Sequence, residues 1–203
     1  MSMPQFHYDG DMVGGSLMVR ESRVIAGLLL AGTTPEQWDQ VIRVDNLLQK
    51  RSPASAKRNA QAIRKRLELL APAFWRVLRD GDDELATQAA FCAVLARNQM
   101  LVEFMETLLR DAYVSKTAQL VTYLWTEFLE DCAHRDAAIH DWTPSTQKKT
   151  GQVAYRILAE VGYLNNTRER KLQKVLVRPE INMMLEEHAK YRIKACMEIS
   201  TCA

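Results

Sequence analysis

Three times in this chain a hydroxyl side chain stands directly before a proline, at Thr34-Pro35, Ser52-Pro53 and Thr143-Pro144. A run with apolar residues three and four apart follows each pair. The hydroxyl oxygen accepts from an otherwise unpaired N–H of a first helical turn, and proline suits the first helical position because its missing N–H would have had no partner there. These pairs are helix starts, and they commit most of the chain to helices that must carry the core. Gln37 completes a capping box behind Thr34, for a short helix through Val44.

Periodicity fills in the rest. Leu17, Val24, Ile25, Leu28 and Leu29 mark a core helix over residues 16–31, after an irregular start with Gly10, Gly14 and Gly15. Behind Pro53 the residues Ala56, Ala60, Ile63, Leu67 and Leu70 fall on one stripe, Arg58 and Lys65 point away from it, and Lys57, Gln61 and Arg64 lie on a flank. Pro72 breaks that pattern, and a short helix with Phe74, Trp75, Val77 and Leu78 follows, ending at Asp80 and Gly81. Residues 83–98, 100–113 and 117–134, rich in Leu, Phe and Met, read as interior helices. The helix from Pro144 runs to Val161 and stops at Gly162, with Val153, Ile157, Leu158 and Val161 inward and Lys148, Gln152, Tyr155 and Arg156 as an exposed row. Residues 171–178 alternate polar with apolar or β-branched side chains and predict a strand or short hairpin, ended by Pro179. A final helix is predicted over 180–199. The expected fold is mainly all-α: a helical bundle over residues 1–141, and a C-terminal helix, hairpin and helix over 142–203 packed on it. That second piece is compatible with a winged-helix arrangement.

Composition excludes several classes. Of 203 residues, 47% are hydrophobic and 26% charged, which is globular rather than disordered or fibrous. The longest strongly apolar run, residues 24–32, is about half of the roughly 20 residues that cross a bilayer, and residues 1–12 lack the form of a secretory signal. A cytoplasmic protein with no membrane association is expected. Cys92, Cys132, Cys196 and Cys202 contain no C-x-x-C pair and read as reduced thiols. Phosphate loops, dinucleotide fingerprints, nucleophile elbows and zinc helices are all missing, so no catalytic residue and no cofactor is assigned. Cys132, His134 and His140, with Asp131, Asp136 and Asp141 between, match no common zinc spacing, and no metal ligand is assigned either.

Charge, by contrast, is segregated. Residues 50–79 hold nine basic residues against Glu68; residues 80–141 hold twelve acids against four bases; residues 142–178 hold eight bases against Glu160 and Glu169. The net charge is only +2, yet such blocks can form a footprint for nucleic acid. The competing reading is that basic and acidic helices pair with each other. The candidate nucleic-acid-binding residues are Lys50, Arg51, Lys57, Arg58, Arg64 and Lys65 in the first block and Lys148, Lys149, Gln152 and Arg156 on the helix behind Pro144. Arg168, Arg170, Lys171 and Lys174 are placed to clamp a phosphate backbone beside that helix. No aromatic platform for single strands is visible.

Several segments, in order along the chain, carry a resemblance. They are Gly14-Gly15-Ser-Leu followed by Glu21-Ser22; Asn46-Leu-Leu-Gln-Lys-Arg51 through Ser55-Ala-Lys-Arg58 and Ile63-Arg-Lys-Arg-Leu67; residues 104–113; and Trp142-Thr-Pro-Ser-Thr-Gln-Lys-Lys149 with Ile157-Leu-Ala-Glu-Val-Gly-Tyr-Leu164. By these the chain resembles the BrxA family of BREX bacteriophage-exclusion systems. The resemblance implies a helical core likened to the NusB antitermination fold and a role beside the methyltransferase, ATPase and phosphatase-like components of the system. It also implies binding of double-stranded DNA, with matching positions at Gln49, Lys50, Arg51, Lys57, Arg58, Arg64, Lys148 and Lys149. It brings no catalytic residues. The expected function is a non-catalytic DNA-binding accessory protein, with a scaffold that docks other BREX components, or an RNA-binding protein, as the alternatives.

Overall fold

A computed structural model describes residues 7, 8 and 15–201. Along it run α1 (Val19–Leu30), α2 (Pro35–Asp39) continued by a π-helical turn (Gln40–Val44), α3 (Pro53–Leu67), α4 (Pro72–Asp80) and α5 (Asp83–Arg97). Next come α6 (Gln99–Phe104), which passes through a π-helical turn (Met105–Leu109) into α7 (Arg110–Val114), then α8 (Tyr123–Ala133), a 3-10 turn (Ala137–Asp141), α9 (Pro144–Val161), α10 (Pro179–Glu187) and α11 (Tyr191–Met197). The protein is mainly helical, and among the described residues no regular strand forms.

All three Ser/Thr-Pro pairs are helix starts. Thr34 Oγ1 accepts from the Gln37 amide at 3.3 Å while Gln37 Oε1 accepts from the Thr34 amide at 3.1 Å, closing the capping box. Ser52 Oγ accepts from the Ser55 amide and Thr143 Oγ1 from the Thr146 amide, each at 3.2 Å.

Two compact units make up the chain. One consists of Leu17–Arg97 and Val177–Tyr191. Here α1 packs on α4, α4 on α5, and α3 on α1 and α5. The predicted stripe of α3 is inside: Ala56, Ala60, Ile63, Leu67 and Leu70 are all buried, as are Phe74, Leu78 and Phe91 of the same unit. Arg66, counted in the basic block, is buried with them.

The other unit consists of the described residues of Met1–Ser16 with Asn98–Leu176 and those of Arg192–Ala203. Its centre is aromatic: Phe104 meets Trp125, Phe128 and Tyr155 at ring separations of 5.1, 5.4 and 6.0 Å. Gly151 of α9 lies against Trp125 of α8 so closely that a Cβ there would sit 2.6 Å from the indole Cδ1. His7 and Tyr8 are tied in by a buried carboxylate, since Asp136 accepts from the Tyr8 amide at 2.8 Å and from the His7 ring at 3.0 Å.

Four local expectations change. The helix predicted over 117–134 begins only at Tyr123, because the residues before it pair sideways: the Leu120 amide donates to the Arg170 carbonyl at 3.0 Å and the Leu172 amide to the Ala118 carbonyl at 3.2 Å. The alternating stretch 171–178 is reduced to two isolated antiparallel bridges, Gln119 with Lys171 and Leu164 with Leu172. Farther on, Val175 satisfies its own backbone on the Ser200 hydroxyl, so no ladder propagates. The closing helix is split, with Ala189 at φ 53 between α10 and α11. Tyr155, expected in an exposed row, is buried, and its hydroxyl donates to the Val121 carbonyl at 3.3 Å. Of the other residues singled out in the sequence, Gly10, Gly14 and Cys202 lie outside the described residues.

Candidate nucleic-acid interface

Lys148, Gln152 and Arg156 stand at i, i+4 and i+8 on α9, one above the other on a single helix face, and all three are exposed. The start of α8 approaches that face and the loop after Gly162 comes beside it, enclosing an open groove of about 750 Å³. The three α9 residues line this groove together with Arg170. Tyr123, Thr126, Gln147 and Thr167 line it too, and the Trp125 and Tyr155 rings form part of its wall. Three cations and no carboxylate are in the lining.

Arg170 is the best-fixed member. Its loop is locked by two asparagines: Asn165 Oδ1 accepts from the Lys171 amide at 3.0 Å, and Asn166 Oδ1 accepts from the Arg168 and Glu169 amides at 2.9 and 2.7 Å. The guanidinium then donates through Nε to the Leu120 carbonyl at 2.9 Å and through Nη1 to the Thr167 carbonyl at 3.1 Å, and lies 5.8 Å from the centre of the Tyr155 ring. Burial pushes the Tyr155 phenol up to about 12, against the pull of Arg170, so this hydroxyl stays neutral across the working pH range. Nothing among the described residues bonds Arg170 Nη2.

The remaining candidates divide into free and occupied cations. Lys149, Arg168 and Lys174 are exposed, whereas Lys171 reaches Glu169 at 3.3 Å. On α3, Lys57, Arg58 and Lys65 are exposed, with Arg51 just before the helix, and none has a carboxylate partner among the described residues. Arg64 pairs with Glu68 at 2.7 Å and lies over Trp38 at 4.9 Å. Lys50 is half-buried against Glu21 at 2.6 Å. The Glu68 and Glu169 partners are local and Glu21 lies in α1; among the described residues no candidate cation pairs with an acid of the central block. Several of those acids are taken by other arginines: Asp83 by Arg23, Asp82 by Arg178, Glu103 by Arg135 and Glu106 by Arg192. The α3 residues belong to one unit and the α9 groove to the other.

What the sequence reading missed is the aromatic rim. Tyr123 is 60% exposed at the mouth of the groove. An aromatic left outside an apolar stripe at a helix start is the signal that could have found it. Among the described residues no three His, Cys, Asp and Glu side chains are placed to hold a metal ion, and no helix is long and apolar enough to cross a membrane. Cys132 is buried, with its thiol pushed up by burial, while His134 and His140 are exposed.

Comparison with known proteins gives one consistent result. The chain is 38% identical over 198 residues to the BREX protein BrxA of Paramagnetospirillum magneticum, covering 98% of this chain and all of that one. It is 32% identical over 189 residues to the BREX protein BrxA of Escherichia coli O9:H4, covering 93% and 89% of the two chains. A crystal structure of an uncharacterized protein from Magnetospirillum magneticum superposes with a TM-score of 0.88 at 36% identity, over 97% of this chain and all of that one. The BrxA family model matches residues 6–189. With a family match over residues 6–189 and relatives named for that family at 38% and 32% identity, the chain belongs to the BrxA family.

Proposed function

We propose that this protein is a non-catalytic subunit of a BREX phage-defence system, working in the cytoplasm, and that it binds double-stranded DNA through the basic faces of α9 and α3. The observation that carries the reading is the groove in which Lys148, Gln152, Arg156 and Arg170 converge without a carboxylate. Cations gathered where no acid neutralises them retain their attraction for phosphate, and amide and hydroxyl groups among them supply further donors. The names of the relatives support the defence role, and the unpartnered Lys57, Arg58 and Lys65 support a second basic face.

The test is duplex affinity at 50 and 200 mM salt. Four neutralised phosphates imply a loss of roughly a hundredfold between the two, because each releases counterion. Lys148→Glu with Arg156→Glu removes most of the binding and flattens the salt slope. Lys57→Glu, Arg58→Glu and Arg64→Glu together do the same for α3. Affinity that ignores salt, or that survives both sets of reversals, defeats the proposal.

The likeness of the bundle to NusB and the winged-helix reading of residues 142–203 as a separate piece belong to the same proposal. The winged-helix reading is supported by the capped α9 followed by the bridged connection between Leu164 and Leu172. The NusB comparison makes structured RNA the competitor to include. A second reading, docking onto other BREX components, is favoured by Val44 and Leu47, which stand 66% and 47% exposed at the end of the α2 segment. Co-purification with the neighbouring gene products after nuclease treatment separates protein contact from DNA bridging.

A further inference from the structure

The groove between α8 and α9 has a shape and chemistry beyond those of a surface patch for duplex phosphates. We infer that it takes a single unstacked nucleotide, with its phosphate on Arg170, Arg156 and Lys148 and its base against Tyr123. The inference rests on the polyanion reading for the role of the cations, and goes beyond it in naming the unit that enters.

Size is the first argument. About 750 Å³ falls within the roughly 300–1,000 Å³ of small-ligand sites, far too small for a double helix and ample for one nucleotide. The second is preorganisation. Arg170 is held by two backbone carbonyls and its own ordered loop, with Nη2 left over, so a phosphate meets a guanidinium that need not be ordered on binding. Arg156 and Lys148 add charge along α9, and no lining acid opposes an anion. The third is the aromatic wall. Tyr123 is exposed and shares the groove lining with Trp125, whose indole is fixed by its donation from Nε1 to the Gln147 carbonyl at 3.1 Å. An exposed ring beside fixed cations is how proteins hold bases without requiring a particular sequence. Gln152 and Thr126 supply groups that can reach a base edge.

Bases inside a blunt duplex are stacked and cannot enter. The nucleotide therefore comes either free from solution or from an unpaired stretch of nucleic acid, and the two sources share the chemistry of phosphate beside base.

Isothermal titration calorimetry of the full chain decides it. The probes are thymidine monophosphate, adenosine monophosphate, a five-residue oligothymidylate, inorganic phosphate and a blunt duplex. Binding of the monophosphates or the oligothymidylate, tighter than inorganic phosphate, is the expected result. Tighter binding of the oligothymidylate identifies an unpaired strand as the source, and tighter binding of the monophosphates a free nucleotide. Tyr123→Ala weakens these ligands by about tenfold, and Tyr123→Phe restores them. Tyr123 is exposed, so the variant keeps its fold, which a melting curve checks. Inorganic phosphate binding as tightly as the nucleotides, or Tyr123→Ala binding them as wild type does, overturns the inference. Silence toward every unpaired ligand with the duplex still bound overturns it and spares the function proposed above; a wild-type chain that fails to bind duplex overturns that function instead.

Discussion

Gly151 shows how much of a site can hang on one absent side chain. In the sequence it is an ordinary glycine inside a helix. In the fold its missing Cβ is what lets the α8 indole lie on α9, where the added carbon would come within 2.6 Å of Cδ1 and 2.8 Å of Cγ. Trp125 has little room to retreat, with Phe104 and Phe128 at ring separations of 5.1 and 5.5 Å. Helix propensity alone favours Gly151→Ala by about 1 kcal/mol, but overpacking a filled site costs about 1–3 kcal/mol. The variant is expected to be about 1 kcal/mol less stable, a fall of roughly 2–4 °C in Tm for a chain of this size. A calorimetric melt measures this, and a rise in Tm would show that the indole has space to move. Glu103 is the opposite case, a buried acid in an apolar helix. Its carboxylate accepts from the Tyr8 hydroxyl at 2.6 Å and from Gln99 Nε2 at 2.7 Å, and it pairs with Arg135 at 2.7 Å. No local pattern links residues 8, 103 and 135, so this contact was not legible beforehand.

Among the elements, the starts were legible and the interruptions were not. Thr34, Ser52 and Thr143 cap their helices as their sequence predicts, because a cap is a contact within three residues. The break between α10 and α11 has no glycine or proline to announce it. Ala189 takes the left-handed conformation, its amide donates to the Glu186 carbonyl at 3.0 Å, and the Lys190 amide donates to the Leu185 carbonyl at 2.7 Å. That is the hydrogen-bond pattern of a glycine-type C-cap built on alanine. A left-handed residue with a Cβ costs about 1–2 kcal/mol, partly offset in a glycine by its greater freedom when unfolded. Ala189→Gly is therefore expected to stabilise the chain by about 0.5–1 kcal/mol, read from chemical denaturation. A loss of stability would mean that the alanine methyl makes contacts outweighing its strain. The π-helical turns over Gln40–Val44 and Met105–Leu109 were hidden for a related reason. An extra residue in a helical turn shifts the apolar phase by an amount that short stripes do not register.

At the scale of the whole molecule, Cys92 lies in the core of one unit and Cys132 and Cys196 in that of the other, all buried and unpaired. Burial raises each thiol, and Cys196 is pushed up to about 12. With folded values above the unfolded thiol near 8.5, their contribution to stability is complete below that pH and declines as pH rises toward the folded values. Native protein treated with a maleimide at pH 8 is expected to leave these three of the chain's four cysteines unmodified, and denaturant to expose them, as peptide mass mapping will show. Labelling of any of the three without denaturant would mean that its unit opens readily. The distribution of charge behaves differently. The basic blocks were visible as counts, but only the fold separates a free Lys57 from a Lys50 already joined to Glu21.

The sequence by itself determined the helical class, the helix starts, the buried stripe of α3, the segregation of charge and the family. Each of these follows from contacts within a few residues or from a pattern summed along the chain. Tertiary structure decided the groove, because its walls come from α8, α9 and the loop carrying Arg170, and its anchor depends on a guanidinium meeting the carbonyl of Leu120, fifty positions earlier. Contacts at that separation are chosen by how whole faces pack, and residue spacing carries no record of them.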